Sequence, residues 1–303
     1  MTDKFPELKD FKPIDIPSLD LIKKYLKKYQ FSTCDYNLSN LFAWSYFTGV
    51  KWNIYRDRIF FYNFNTGFML YPLGEPFTSL ELNQISKEII DQGYSGNFIS
   101  VPECYLSEHP DINKYYSAVK DENNSDYVYL SERLSELRGR KLQKKKNLVS
   151  QFNRLYPDSC IKTLSDKGAR MCIELAEKWC IQHNEFCDDE KKKEIEVMKR
   201  ALQNRRHTGL EGLMLFCGND LVAFALFSEQ KKDTATVHFE KFDYDYKGSA
   251  QKINRETAIY LQERYKYINR EQDIGNEGLR KSKLSYDPEM IIPTYDLFKK
   301  KRS

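Results

Sequence analysis

No run of apolar residues in this 303-residue chain is long enough to cross a bilayer. The most apolar stretch, Gly212 to Phe227, is interrupted by Gly218-Asn219-Asp220. The opening Met1-Thr2-Asp3-Lys4-Phe5-Pro6 lacks the basic end and apolar core of a secretory leader. The cysteines number seven and have no regular spacing, which argues against a disulfide framework and for reduced thiols in a cytoplasm. Cys180, His183 and Cys187 match no common zinc spacing and no second pair follows, so no metal is expected. Charge of one sign is also missing: 48 basic and 44 acidic residues leave a net charge of only +4. Neither a serine elbow nor a reactive-cysteine pattern is present, so a covalent acyl-enzyme is not expected.

What is present belongs to a folded protein. Aromatic residues reach 14%, with 21 Tyr and 19 Phe, a content that excludes disorder for most of the length. The length predicts two domains of roughly 150 residues each. We place the boundary near residue 140, giving domains 1–140 and 141–303.

In the first half, spacing predicts helices from Ser18, over Leu38 to Phe47 and over Leu80 to Ile90. Strands are expected at Lys51 to Tyr55, Arg58 to Phe64, Phe68 to Leu73, Gly96 to Val101 and Asp126 to Leu130. Asp121 to Ser125 reads as a loop, and Ser131 to Tyr156 as one basic helix. In the second half, helices are expected at Ser165 to Ile181 and Asp189 to Asn204. A hairpin follows around Gly218-Asn219-Asp220, then a strand at Thr234 to Phe242 and a helix at Lys252 to Tyr265. A short strand at Lys266 to Arg270 and a helix at Glu277 to Ser285 complete it. Both halves thus have helices, a small antiparallel meander, another helix and a final strand, the plan of a duplicated α/β fold.

The segment Thr234 to Ala258 carries the densest chemistry. Strand alternation puts Thr234, Thr236, His238 and Glu240 on one face, and Ala235, Val237 and Phe239 on the other. The turn Lys247-Gly248-Ser249-Ala250 then feeds a helix N-terminus, where free N–H groups and the dipole suit a phosphate or carboxylate. Asn269, Arg270 and Glu271 follow the short strand at its exit, where sites commonly lie. Arg138, Arg140, Lys141, Lys144, Lys145 and Lys146 put six positive residues within nine, a run that suits a nucleic-acid backbone or a solvated helix face. Lys299 to Arg302 adds a basic tail, read as a solvated face.

Strand, glycine turn, helix, short strand and helix together resemble the core of the GNAT acyltransferases. In that family the turn holds the pyrophosphate of a coenzyme A thioester; Gly248 and Ala250 fit its small positions, whereas Asp245 stands where Arg or Gln is expected. The segment from Asn269 onward resembles the closing part of bacterial phosphatidylglycerol lysyltransferases. Leu279, Arg280, Lys283, Tyr286, Asp287, Pro288 and Tyr295 carry that likeness, and the wider chain resembles a bacterial family of unassigned function related to it.

The resemblance implies two tandem GNAT-like domains, each a mixed, mainly antiparallel sheet flanked by helices. It also implies aminoacyl-tRNA as donor, as in the Fem-type peptidyltransferases. On this reading Glu240 or His238 takes the acceptor's proton, and Tyr286 or Lys283 stands near the leaving oxygen. Lys247 to Ala250, Asn269, Arg270 and Arg280 hold the donor, and the Arg138 to Lys146 run follows tRNA. The expected function is direct aminoacyl transfer to an amine or hydroxyl of a small molecule, peptide or lipid. Two alternatives stay open: an N-acyltransferase using a coenzyme A thioester, and a non-catalytic binding protein that retains the fold.

Overall fold

A computed structural model of the chain describes residues 4–183 and 189–300. Cys187 and the last residues of the basic tail therefore lie outside the described residues. Contacts divide the chain into two compact units, residues 1–125 with 292–303, and residues 126–291. The cut falls at Ser125/Asp126, not near residue 140, because α5 and α6, defined below, pack on the helix of the second unit's crossover.

In the first unit, β1 (Lys12–Pro13), α1 (Ile16–Tyr29) and α2 (Leu38–Thr48) precede a meander of β2 (Val50–Tyr55), β3 (Arg58–Asn63) and β4 (Phe68–Leu70). Helix α3 (Ser79–Asp91) then crosses to β5 (Phe98–Pro102), which runs parallel to β4 and is followed by α4 (Glu103–Glu108). Asp15 starts α1 with a capping box, and Thr78 does the same for α3 through Glu81. Both faces of β3 are buried: Ile59 and Phe61 lie in one core with Leu19, Ile22 and Phe42, while Phe60 and Tyr62 lie in another with Leu82, Ile85 and Tyr105.

Strand β6 (Tyr116–Leu130) runs through Asp121 to Ser125, the stretch expected to be a loop. The Asp121 carboxylate accepts from the amides of Asn123 and Asn124, so side-chain bonds accommodate the polar run inside the strand. The expected single basic helix is two helices, α5 (Ser131–Glu136) and α6 (Gln143–Leu155). Leu137 and Gly139 break it with φ of 50° and 99°.

The rest of the second unit runs β7 (Cys160–Thr163), α7 (Asp166–His183), α8 (Asp189–Gln203), α9 (Arg205–Thr208), β8 (Glu211–Cys217), β9 (Asp220–Lys231) and β10 (Thr234–Phe242). Helix α10 (Ser249–Leu261) crosses to β11 (Tyr267–Asn269), and α11 (Glu277–Leu284) follows; β12 (Met290–Lys299) then returns to the first unit, antiparallel to β5. Neighbours in the second unit's sheet run β6-β11-β10-β9-β8-β7, with β10 and β11 parallel and the other pairs involving β7 to β11 antiparallel. The plan of meander, crossover helix and parallel strand thus occurs in both units, and the fold is the tandem GNAT-like α/β class expected. Among the described residues Cys34, Cys104, Cys160, Cys172 and Cys217 are free thiols. No helix among the described residues is long and apolar enough to cross a membrane.

Candidate active site

Strand β10 determines where chemistry is possible. Its pairing with β11 covers Thr234 to Thr236 and ends at Thr236↔Asn269, while β10 itself continues to Phe242. Beyond that pair β11 has ended, leaving a gap in the ladder bordered by β10 on one side and Arg270 and Glu271 on the other.

A bulge governs which residues reach the gap. Against β9, Val237 pairs with Phe227 and Phe239 with Leu226, so His238 is the extra residue. Alternation therefore slips by one. Ala235 and Val237 lie in the core built around α10, and after the bulge Glu240 and Phe242 take over that face. Thr236 and His238 stay on the opposite face, and Lys241 joins that side, reaching Glu194 of α8 at 2.9 Å and the Trp179 ring of α7 at 3.8 Å. The expectation that His238 and Glu240 share one face fails because period-two counting cannot see an inserted residue.

Two clusters result. On the α10 face, Arg270 donates to Glu240 at 3.1 Å, and Asn254 donates to the other oxygen of the same carboxylate at 3.2 Å. The Arg270 guanidinium lies 4.9 Å from the Tyr286 ring centre and 5.9 Å from that of Tyr129. The Lys145 ammonium stands 4.4 Å from the same Tyr286 ring. Burial pushes the Tyr286 phenol up to about 12, so it remains a proton donor throughout the neutral range. Burial, followed by the charge of Arg270, lowers the pKa of Lys145.

On the other face, Glu271 meets His238 Nδ1 at 2.8 Å and Ser228 meets His238 Nε2 at 2.8 Å. Buried Asn269 donates to Asp126 at 2.6 Å and accepts from the Glu271 amide at 2.7 Å. Consecutive residues at the exit of β11 thus serve opposite faces: Arg270 the Glu240 cluster, Glu271 the His238 cluster.

The segment after β11 is anchored from several sides. Lys283 donates to the carbonyls of Arg270 and Glu271, holding the latter at φ 61°. Arg280 grips Asp273 with two bonds of 2.8 and 3.0 Å, and Tyr127 donates to the same carboxylate at 2.6 Å. Asp287 is held by Arg133 and by Lys141, the latter at 2.7 Å, and the Lys141 bond leads in lowering its pKa. Of the motif residues, Tyr286 therefore faces the gap cluster, while Arg280, Lys283 and Asp287 position the backbone around it.

The glycine turn is built differently from the expected anion seat. Gly248 is the N-cap of α10 at φ 90°, and a Cβ there would lie 2.6 Å from the Leu148 carbonyl of α6. The glycine is accounted for by this close approach of two helices. The Ser249 amide donates to Tyr246, Lys247 is exposed, and Ala250 is half-buried. Asp245 lies out in solvent, 3.7 Å from Lys178.

The basic run is divided in the same way. Arg140, Lys144 and Lys146 are exposed, Arg138 pairs with Glu136 at 2.9 Å, Lys141 binds Asp287, and Lys145 turns inward. The outer side of α6 presents Lys144, Asn147, Ser150, Gln151 and Arg154 along an open hollow. Sequence reasoning missed Asn254, Tyr129 and the inward role of Lys145. The first was detectable, since Asn254 and Thr257 interrupt the buried stripe of Ile253, Ala258 and Leu261 in α10. Nothing local to Lys145 distinguishes it from its neighbours.

With this geometry in hand, comparison with known proteins is informative. The family described as phosphatidylglycerol lysyltransferase, C-terminal, matches residues 26–298. The chain belongs to that family. Within the phosphatidylglycerol lysyltransferase C-terminal family, the fold is shared with a protein of unknown function from Bacteroides thetaiotaomicron, at 28% identity and a TM-score of 0.89 over 96% of this chain and 99% of that one. The L-PGS of Bacillus licheniformis superposes with a TM-score of 0.67 at 12% identity, over 97% and 94% of the two chains. FemX superposes with a TM-score of 0.62 at 10% identity, over 94% and 96%. An uncharacterized protein of Mycoplasmoides gallisepticum is 25% identical over 186 residues, 60% of this chain but only 59% of that protein's length.

Proposed function

We propose that the chain transfers an aminoacyl group from aminoacyl-tRNA to an amine or hydroxyl acceptor by direct attack. The observation that carries this reading is the gap beyond Thr236↔Asn269, where Glu240 and Arg270 face each other across strands that have ceased to pair. Where the ladder has ended, backbone N–H groups of β10 near Glu240 would meet a developing oxyanion, and Glu240 supplies a carboxylate beside it. In the proposed step the acceptor's nitrogen or oxygen attacks the ester carbonyl and its proton passes to Glu240. The bond to the ribose oxygen then breaks, and Tyr286 donates a proton to that oxygen. Membership of a family described as lysyltransferase supports an aminoacyl donor, and so does the exposed basic side of α6. The close approach of Leu148 accounts for Gly248 without a pyrophosphate, so the glycine lends no support to the coenzyme A alternative.

His238 has both ring nitrogens engaged, so we assign it and Glu271 to positioning the β11 exit. Lys283 is likewise a positioning residue in this reading. The test is a thermal-shift and transfer assay with charged tRNA, uncharged tRNA and an acyl-coenzyme A. At about 100 times its dissociation constant a true donor stabilises the fold by roughly 2.7 kcal/mol. Stabilisation by charged tRNA, with label appearing on an added amine or on phosphatidylglycerol, supports the reading. Stabilisation and turnover with the thioester alone refute it. Binding of neither donor returns the chain to the class of non-catalytic proteins with this fold.

A further inference from the structure

We propose that Lys145 and Arg270, grouped around the ring of Tyr286, form a binding site for a phosphate group of a nucleic-acid strand, beside Glu240. Assigning the strand to the donor rests on the aminoacyl-tRNA reading above; the anion site itself does not.

The first observation is the direction of Lys145. Its neighbours Lys144 and Lys146 are exposed on α6, and a lysine stem can usually carry its ammonium back to water. Lys145 instead points at Tyr286, half-buried, and pairs with no carboxylate among the described residues. The second is Arg270. One amino group is spent on Glu240, while Nη1 is buried and has no hydrogen-bond partner among the described residues. Buried charged donors normally find acceptors, and an unsatisfied one calls for an explanation such as an absent ion.

Charge counting gives the sign of the missing partner. Around Tyr286 stand two cations, Lys145 and Arg270, and one carboxylate, Glu240. The surplus of one positive charge sits where water is largely excluded, and it is relieved by an anion. The available donors are the Lys145 ammonium, Arg270 Nη1 and the Tyr286 hydroxyl, the last kept protonated by its raised pKa. Three donors of this kind suit a phosphate with several acceptor oxygens better than a planar carboxylate. The outer side of α6 argues for a polyanion. Lys144, Asn147, Gln151 and Arg154 line the hollow there, and no acidic residue occurs between Arg138 and Pro157. A strand passing along α6 would leave phosphates against the exposed Lys144 and Arg154, and Lys145, between Lys144 and Lys146, is the one cation of the run that reaches inward to the Tyr286 ring.

The experiment measures binding of a short RNA hairpin with a single-stranded 3′ end to the full chain, as a function of salt, with inorganic phosphate as competitor. Lys145→Gln should weaken RNA binding about tenfold and abolish competition by phosphate, while Lys145→Arg restores both. Lys144→Gln should lower the salt slope by about one without changing phosphate competition. Lys145→Gln should retain the melting temperature of the parent, which keeps a folding defect out of the result. RNA binding and phosphate competition unchanged in Lys145→Gln would overturn the site. So would weakening seen only with phosphatidylglycerol vesicles, which would make the partner a lipid surface. A failure of charged tRNA as donor, with the Lys145 effect on RNA intact, would remove the aminoacyl-transfer reading and leave the site standing.

Discussion

The two crossovers, β4–α3–β5 and β10–α10–β11, follow one plan and fill it with opposite materials. In the first unit the ladder continues past β4, with the Tyr71 amide bonded to the Ile99 carbonyl at 2.9 Å. The space beside it is taken by rings: Tyr71 and Tyr105 lie 4.8 Å apart, and Phe77, Phe98 and Tyr116 share their core. Its crossover helix begins with a closed capping box at Thr78 and Glu81. In the second unit the ladder stops at Thr236↔Asn269, and the space is taken by Glu240, Arg270, Asn254 and Lys145. Its helix begins on a glycine without a side-chain cap. Apolar filling stabilises a fold at little risk, whereas a buried ion pair contributes little net stability and is costly to break. The second unit therefore retains what a purely structural crossover has no need of, and the first shows what the same plan becomes when sealed.

Four substitutions test that contrast, beginning with the most severe. Arg270→Met strands Glu240 as an unpaired, largely buried carboxylate, and should destabilise the second unit by about 3 kcal/mol and abolish transfer; chemical denaturation with a matched activity assay measures both. A change below about 1 kcal/mol would mean that Glu240 is solvated and that the contrast is overstated. Gly248→Ala puts a Cβ against the Leu148 carbonyl at a residue with φ 90°, and should cost about 2 kcal/mol. A neutral result would reopen the turn as an anion seat.

The opposite sign is expected in the first unit. Tyr71 carries a buried hydroxyl without a hydrogen-bond partner among the described residues, so Tyr71→Phe should stabilise by up to about 1 kcal/mol and leave transfer unchanged. Loss of activity there would give the sealed crossover a functional part. The smallest effect concerns pH. Burial, with the charges of Asp121 and Asp35, pushes the Asp296 carboxyl up to about 6. The folded state then holds this proton more tightly than the unfolded chain, so its contribution to stability is complete below pH about 4 and is lost as pH rises through about 6. Asp296→Asn should accordingly be more stable than the parent by about 1 kcal/mol at pH 7.5, after allowance for its partial exposure, with the difference vanishing near pH 4. Paired melts at the two pH values decide it.

How far the sequence could be read depended on whether a signal was local. The ends of the strand Thr234 to Phe242 were legible to the residue, and the hairpin at Gly218-Asn219-Asp220 was legible by its turn chemistry although its strands run longer than expected, to Glu211 and Lys231. Helices α2, α3 and α8 were legible to within a residue or so at each end, since each buries one stripe. Strand β12 was not anticipated: Pro293 falls inside it, and proline argues against a strand. Asp121 to Ser125 misled because polarity was read as a loop, whereas a strand tolerates polar residues wherever its side chains stay in solvent. At the candidate site the residue types were legible and their grouping was not. Glu240, Arg270 and Tyr286 could be named from the segments that hold them, but their meeting depends on the bulge at His238 and on where the β10–β11 ladder ends. Both are properties of pairing, which no single strand encodes.

The bulge has one more consequence. A strand with an inserted residue has two phases, so ordinary substitution upstream and downstream of His238 is felt on different sides of the sheet. Drift that repacks Ala235 and Val237 perturbs the same compartment as Glu240, although those residues differ in parity, while changes at Thr236 reach the compartment of Lys241. Were His238 drawn into strict register with β9 instead, Glu240 would turn to the far side of the sheet from Arg270, disconnecting the gap without altering a single one of its side chains.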